Sequence, residues 1–266
     1  GKNVRAGTLL WTGEDLHLAR YVGLPDVYGV KLVASDCGAV SRHCMAVVHD
    51  IAYWMSHGKF LLCQGGGLIT EIPCDVHDDV FGDLDLDRIH LVQALVNSEF
   101  NEIWWLYRKA SDSGTTNTRA VVYNYAERHW SLHVLSRHAG IRRGKGFSNP
   151  LMIGGTTVWK HESGSTKTGA GTPYVQGGPI EIGLGERLLH AREVVTDDSE
   201  LGDVDLYFSV RLHPNDTATE YGPYTAAAKT PVRFCGRQAA LKLVEAEATD
   251  WRIGTYRLVG LPGSRR

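Results

Sequence analysis

The acidic stretch CDVHDDVFGDLDLDRIH (residues 74–90) is the first place to look for chemistry, because Asp83, Asp85 and Asp87 have the D-x-D-x-D spacing that opens a calcium loop. That loop also needs a glycine at its sixth position, for the sharp turn, and a bidentate glutamate at its twelfth. Counted from Asp83, those positions hold Arg88 and Ala94, so the EF-hand reading fails. His77 or His90 would be needed to complete a transition-metal set. The stretch reads better as a solvated connecting loop, and no metal site is expected.

Other catalytic patterns fail in the same way. The short Ser/Thr-Asp-Gly-aromatic loop common in propeller glycosidases has its nearest approach in ASDSGTTN (110–117), where Ala110 takes the hydroxyl position and no aromatic follows in step. There is no G-x-S-x-G elbow, no HExxH, and no Gly-Lys-Ser/Thr of a phosphate-binding loop. The 12 histidines are scattered, and a lone histidine in a strand or turn is usually structural. No catalytic residue and no cofactor are assigned, and the chain is not read as an enzyme.

One local positive cluster stands out in RHAGIRRGKGF (137–147), with Arg137, Arg142, Arg143 and Lys145 close together and glycines between them. Arg142, Arg143 and Lys145 are the candidates for contact with phosphate in a DNA channel or with an acidic partner surface. The competing reading is a solvated loop between two β units. No aromatic residues interleave the charges, which argues against a stacking platform for single strands.

The elements that would position these residues are strands. RAVVYNY (119–125) alternates Val121, Tyr123 and Tyr125 on one face with Ala120, Val122 and Asn124 on the other. In NEIWWLY (101–107) the adjacent Trp104 and Trp105 must then face opposite sides, so both faces of that strand need cover. Four runs at 45–48, 51–55, 59–63 and 68–72, separated by turns at His49-Asp50, His57-Gly58 and a glycine cluster, form a four-stranded antiparallel meander. A second meander uses 90–96, 101–107, 119–125 and 129–135, with a polar loop at 109–118. A hairpin around Gly13-Glu14-Asp15 precedes them, and a third, shorter unit begins at NPLMIGGTTVWKHESG (149–164). Trp54, Trp104, Trp130 and Trp159 recur as aromatic anchors. Successive units of forty to fifty residues match the blades of a β-propeller, against a non-repeating β-sandwich or meander as the plainer alternative.

Past the Gly- and Thr-rich segment 163–178 the composition changes and only Trp251 remains of the tryptophans. DVDLYFSVRL (203–212) puts Val204, Leu206, Phe208, Val210 and Leu212 on one face, as a half-buried antiparallel strand does. With IEIG, RLLHAREVV, VRFCGRQAALKLVEAEA and WRIGTYRLVGL it points to a second module. The expected fold is all-β, with propeller-like meander units over 1–172, whose N-terminal portion is open to being incomplete, and a β-sandwich-like module over 173–266.

Composition excludes little further. The chain holds 30 glycines among 266 residues, above the usual ~7%, which favours turns. A net charge of -2 gives no global drive toward nucleic acid or anionic membrane. The five cysteines, Cys37, Cys44, Cys63, Cys74 and Cys235, include no CxxC pair and are expected as reduced, mostly buried thiols. No apolar run is long enough for a membrane span, and the N-terminus lacks the features of a secretion signal. It also lacks an initiating methionine, which points to processing or to a start partway through a larger protein.

The order AYWMSHGKFLLCQGG, EIPCDVHDDVF, FNEIWWLY, AVVYNYAERHWSLHVLSR, NPLMIGG…VWKHE, YGPYT…TPVRFCGRQAALKL and WRIGTYRL resembles tail proteins of short-tailed bacteriophages, in particular the propeller-bearing nozzle or tail-accessory family, also described as packaged-DNA stabilisation proteins. The similarity runs from about Leu9 to Leu258, and its motifs belong to β units and not to an active site. It implies a structural component of the virion tail. The subunit would form a homohexameric ring below the portal and adaptor, lining or closing the channel through which double-stranded DNA leaves. Members of that family are usually longer than this chain. A carbohydrate-binding or glycan-hydrolysing propeller of a host-recognition tail component is the alternative. It would need exposed aromatic platforms and paired carboxylates, with Glu71, Asp75, Glu99 and Glu102 the first to inspect.

Overall fold

The computed structural model describes residues 1–164, 171–181, 187–197 and 201–263. The chain divides into two compact units, Gly1–Ser163 and Gly164–Arg266, against the division at 172/173 read from composition. Residues 165–170 of the Gly/Thr-rich segment, and 182–183 of IEIG, lie outside the described residues.

The first unit is a succession of antiparallel meander sheets. Strands β1 (Lys2–Val4), β2 (Gly7–Trp11), β3 (Leu16–Gly23) and β4 (Val27–Ala34) form the first sheet. The second consists of β5 (Met45–Val48), β6 (Ile51–Ser56), β7 (Lys59–Gln64) and β8 (Leu68–Ile72). Its turns explain its regularity. Val48 pairs with Ile51 across a two-residue loop in which His49 and Asp50 both take positive φ, 48° and 67°, the twist that suits a tight hairpin. Gly58 at φ 70° does the same for the next turn.

A helix, α1 (His77–Phe81), and a 3₁₀ segment (Leu86–Leu91) lead to the third sheet. That sheet holds β9 (Gln93–Asn97), β10 (Glu102–Tyr107), β11 (Arg119–Asn124) and β12 (His129–Val134). The fourth has three strands, β13 (Ala139–Ile141), β14 (Leu151–Gly154) and β15 (Thr157–Lys160). Two expectations change here. The first unit of the chain is a full four-stranded sheet and not a hairpin alone, and the fourth sheet starts at Ala139, ten residues before Asn149.

The first strands of consecutive sheets are neighbours: β1 lies beside β5, β5 beside β9, and β9 beside β13. Each inner sheet is therefore covered on both faces. Leu9, Leu16 and Leu18 of the first sheet, Trp54, Met55 and Phe60 of the second, and Ile103, Trp105 and Val121 of the third share one core. Trp104, Leu106, Ala120 and Val122 face the other way and meet Met152 of β14. The alternation read for 119–125 is thus the partition between two seams, although Tyr125 sits just past the end of β11. No strand pairing among the described residues joins the fourth sheet to the first, and no closed propeller is formed. The outer face of the first sheet leaves Leu10, Tyr21, Tyr28, Val30 and Leu32 exposed, and that of the fourth leaves Ile141, Ile153 and Val158 exposed.

The second unit contains two antiparallel sheets around one core. One runs β16 (Tyr174–Gln176), β22 (Gln238–Glu245), β19 (Val204–Arg211), β20 (Thr219–Thr225), with β17 (Ile180–Glu181) also on β22. The other runs β21 (Lys229–Gly236), β18 (Leu189–Thr196), β23 (Tyr256–Pro262). Val204, Leu206, Phe208 and Val210 point into the core against Val232 and Phe234, with the two phenyl rings 4.7 Å apart. Leu212 departs from this pattern, lying past the end of β19 and exposed. All five cysteines are free thiols, with Cys37, Cys44 and Cys63 buried.

Candidate functional site

The seams between sheets are built around tryptophan indoles that fill volume, and Trp54, Trp105 and Trp130 also donate to backbone carbonyls. Trp54 and Trp105 occupy the same place, the fourth residue of the second strand in their sheets. Trp54 Nε1 donates to the Cys37 carbonyl at 2.8 Å, and Trp105 Nε1 to the Cys44 carbonyl at 2.9 Å. In each case the acceptor lies in the segment that enters the second sheet. Trp130 Nε1 adds a bond to the Pro73 carbonyl at 2.7 Å, and its ring packs 4.6 Å from Phe60. Trp11 meets Trp54 edge-on at 5.5 Å.

The acidic stretch is not a solvated loop throughout. Asp85 is buried, accepts from Arg108 Nε at 2.8 Å and from Arg88 at 3.2 Å, and caps the 3₁₀ segment. Burial pushes its carboxyl up, and the bonds from Arg108 and Arg88 more than offset this, leaving it below the ordinary aspartate value. Arg108, itself buried, also donates to the Ser113 carbonyl at 3.0 Å and to that of Asp112, so one guanidinium organises the polar loop 109–118. Asp112 then pairs with Arg119 at 2.7 Å, whose hydrogen bond lowers its pKa to about 2. Asp83 accepts from Ser111, whereas Asp87 is exposed. His77 bonds Asp78 and the Gly58 carbonyl, and His90 is exposed on the 3₁₀ segment. Among the described residues no group of three or more His, Cys, Asp and Glu side chains is placed to hold a metal ion.

The positive cluster is divided by the fold. Arg137 is buried, lying 4.6 Å over the Trp159 ring and donating from Nε to His161 Nε2 at 3.0 Å, so it belongs to the scaffold. His161 stays neutral to accept that bond, since burial and then the Arg137 charge lower its pKa to about 4. Arg142, Arg143 and Lys145 are exposed in the β13–β14 connection, inside the fourth sheet and not between two units as the loop reading had it. Arg143 is paired with Glu99. Arg142 flanks a small cavity with Asn97 and Glu162. Lys145 has no ion pair among the described residues.

No protein-family profile matches the chain, and a search of curated proteins returns no match.

Of the four carboxylates singled out in the sequence, the structure brings Glu102 to a second one, and that partner is Glu162. Asn97 Nδ2 donates to Glu102 Oε2 at 3.3 Å and to Glu162 Oε1 at 3.1 Å, and Trp104 Nε1 donates to Glu102 Oε2 at 2.9 Å. Burial raises the pKa of both carboxyls, and repulsion from Glu102 and Glu99 adds to the rise at Glu162. Glu71, Asp75 and Glu99 are exposed, and none joins this pair. Glu162 was not read from the sequence, because it follows β15 by two residues and 60 residues separate it from Glu102.

Proposed function

We propose that this chain is a structural component of a bacteriophage tail, a nozzle-type subunit of a homohexameric ring below the portal and adaptor that lines or closes the DNA exit channel. The resemblance of its ordered β motifs to the nozzle and tail-accessory proteins supplies the family. The observation that carries the reading furthest is the succession of meander sheets with their first strands side by side, the arrangement of blades around a propeller axis. Uncovered apolar faces at both ends of the succession fit an arc of a propeller, and the second unit fits the sandwich-like module of the same reading.

A tail ring needs stiff subunits. Seams stitched by buried indole-to-carbonyl bonds meet that need without any reactive group. A channel surface must also release DNA, and a cluster in which Arg143 is already neutralised by Glu99 offers few free charges for phosphate. The glycan-binding alternative gains the Glu102–Glu162 pair and the exposed Tyr21 and Tyr28, but the tyrosines lie on the first sheet and the carboxylates at the seam of the third and fourth, and none of the seven tryptophans is exposed. Electron microscopy of the assembled particle with symmetry determination tests the proposal, and a six-fold ring is the expected result.

A further inference from the structure

Arg137, in the segment between β12 and β13, is 7% exposed, and no carboxylate among the described residues is paired with its guanidinium. Burial alone acts on its pKa, holding it below the ordinary arginine value with no opposite charge to offset the cost. A buried charge is normally paired, because leaving water is expensive. The contacts Arg137 does make are neutral. Nε donates to His161 Nε2 at 3.0 Å, Nη1 donates to the Ser136 carbonyl at 2.8 Å, and the guanidinium lies 4.6 Å over the Trp159 ring. Two neutral acceptors and a cation–π contact offset part of the cost and leave the charge itself uncompensated.

Two donors beside this guanidinium are unused. Arg137 Nη2 has no hydrogen-bond partner among the described residues, nor has the Trp159 Nε1–H, and both reach solvent. Gly154 of β14 draws the groups together: a Cβ there would stand 3.1 Å from Arg137 Nη1, 3.3 Å from Trp159 Nε1 and 2.3 Å from the Ser136 carbonyl oxygen. The last distance excludes a side chain, so only glycine lets the strand pass this close, and the guanidinium end and the indole N–H converge beside it. We propose that Arg137 and Trp159 form a receptor for a single carboxylate group, with the free Nη hydrogens and the indole N–H as its donors. The planar fork of a guanidinium matches the two oxygens of a carboxylate, and one cation calls for one negative charge. Because so little of Arg137 is exposed, the group must reach in on a thin stem. An aspartate or glutamate side chain or a small free carboxylate does so, whereas the phosphate backbone of a duplex does not. His161, Ser136 and Trp159 already fix the guanidinium, so little ordering remains to be done on binding. The site does not depend on the tail assignment.

Nitrogen–proton NMR spectra of the full chain at pH 7 test this, with sodium acetate as the probe and sodium chloride at equal concentration as the control. Expected are saturable shifts of the Arg137 Nε–H and Trp159 Nε1–H signals with millimolar acetate, and no comparable shift with chloride. Trp159→Phe keeps a ring under the guanidinium but removes the N–H, and should weaken acetate binding about fivefold, the worth of one hydrogen bond. Arg137→Lys, which lacks the planar fork, should abolish it. Circular dichroism verifies that each variant is folded, and Trp159→Phe, at a half-buried position, decides the matter if Arg137→Lys does not fold. The same shifts arising without acetate as protein concentration increases assign the carboxylate to an acidic side chain of a second copy, whereas shifts that need acetate assign it to a free carboxylate. No shift under either condition overturns the proposal, as do equal shifts with chloride or acetate binding that neither variant weakens.

Discussion

Trp104 and Trp105, adjacent in β10, turn their indole nitrogens to opposite seams: Trp105 donates to the Cys44 carbonyl at 2.9 Å and Trp104 to the Glu102 carboxylate at 2.9 Å. Trp105 is 0% exposed and Trp104 7%. Trp105 thereby ties the third sheet to the segment that enters the second, and Trp104 packs against Met152 of the fourth.

Replacing Trp105 by alanine should destabilise the protein by about 3–5 kcal/mol, through a large cavity and the loss of the donor to Cys44. Trp105→Phe keeps most of the volume and should cost less, because the Cys44 carbonyl still accepts from the Met55 N–H at 3.4 Å once the indole donor is gone. Urea unfolding followed by circular dichroism measures both. A Trp105→Ala protein as stable as the parent would remove the indole from its role as an anchor.

The loop 109–118 should loosen at low pH. The Asp112 pKa lies near 2 in the fold and near ~3.9 when unfolded, so the unfolded chain takes up the proton first. The stabilisation is complete above about pH 4 and is lost as the pH falls toward 2. Limited proteolysis of the loop with an acid-active protease should show rising cleavage across that window. Asp112→Asn should be cleaved readily at every pH in it.

The Glu102–Glu162 pair has the opposite sign. Both carboxyls titrate above the ordinary glutamate value, so the fold holds its protons longer than the unfolded chain does. Stability from this pair is greatest below the unfolded pKa and declines as the pH rises through the folded values. Glu162→Gln should raise the melting temperature at pH 7 and leave it unchanged near pH 4. Equal shifts at both pH values would contradict the assignment.

His161 should remain neutral well into acid. Its pKa of about 4 lies below the unfolded value, so the stability from its bond with Arg137 is present above about pH 6.5 and is lost as the pH falls toward 4. Nitrogen chemical shifts of the imidazole report this directly, and a titration midpoint near 6.5 would break the account.

The second and third sheets were legible in the sequence because their strands are short apolar runs bounded by turns that carry their own signals, as at His49-Asp50 and Gly58. The strand β4 was not, because its residues VYGVKLVA are mostly exposed and show no burial pattern. Asp85 read as solvated since its spacing partners were acidic, and its true partner, Arg108, lies 23 residues on. The same distance problem hid Glu162. Local pattern reveals which face a side chain takes, whereas a polar pair across a seam depends on how two sheets meet. The positive cluster was visible as letters, but only the fold separates the buried Arg137 from the exposed Arg142, Arg143 and Lys145.

The most direct test of the tail reading is the mass and symmetry of the native particle, by light scattering together with imaging. A closed six-fold ring is the predicted result. A stable monomer at all accessible concentrations would contradict it.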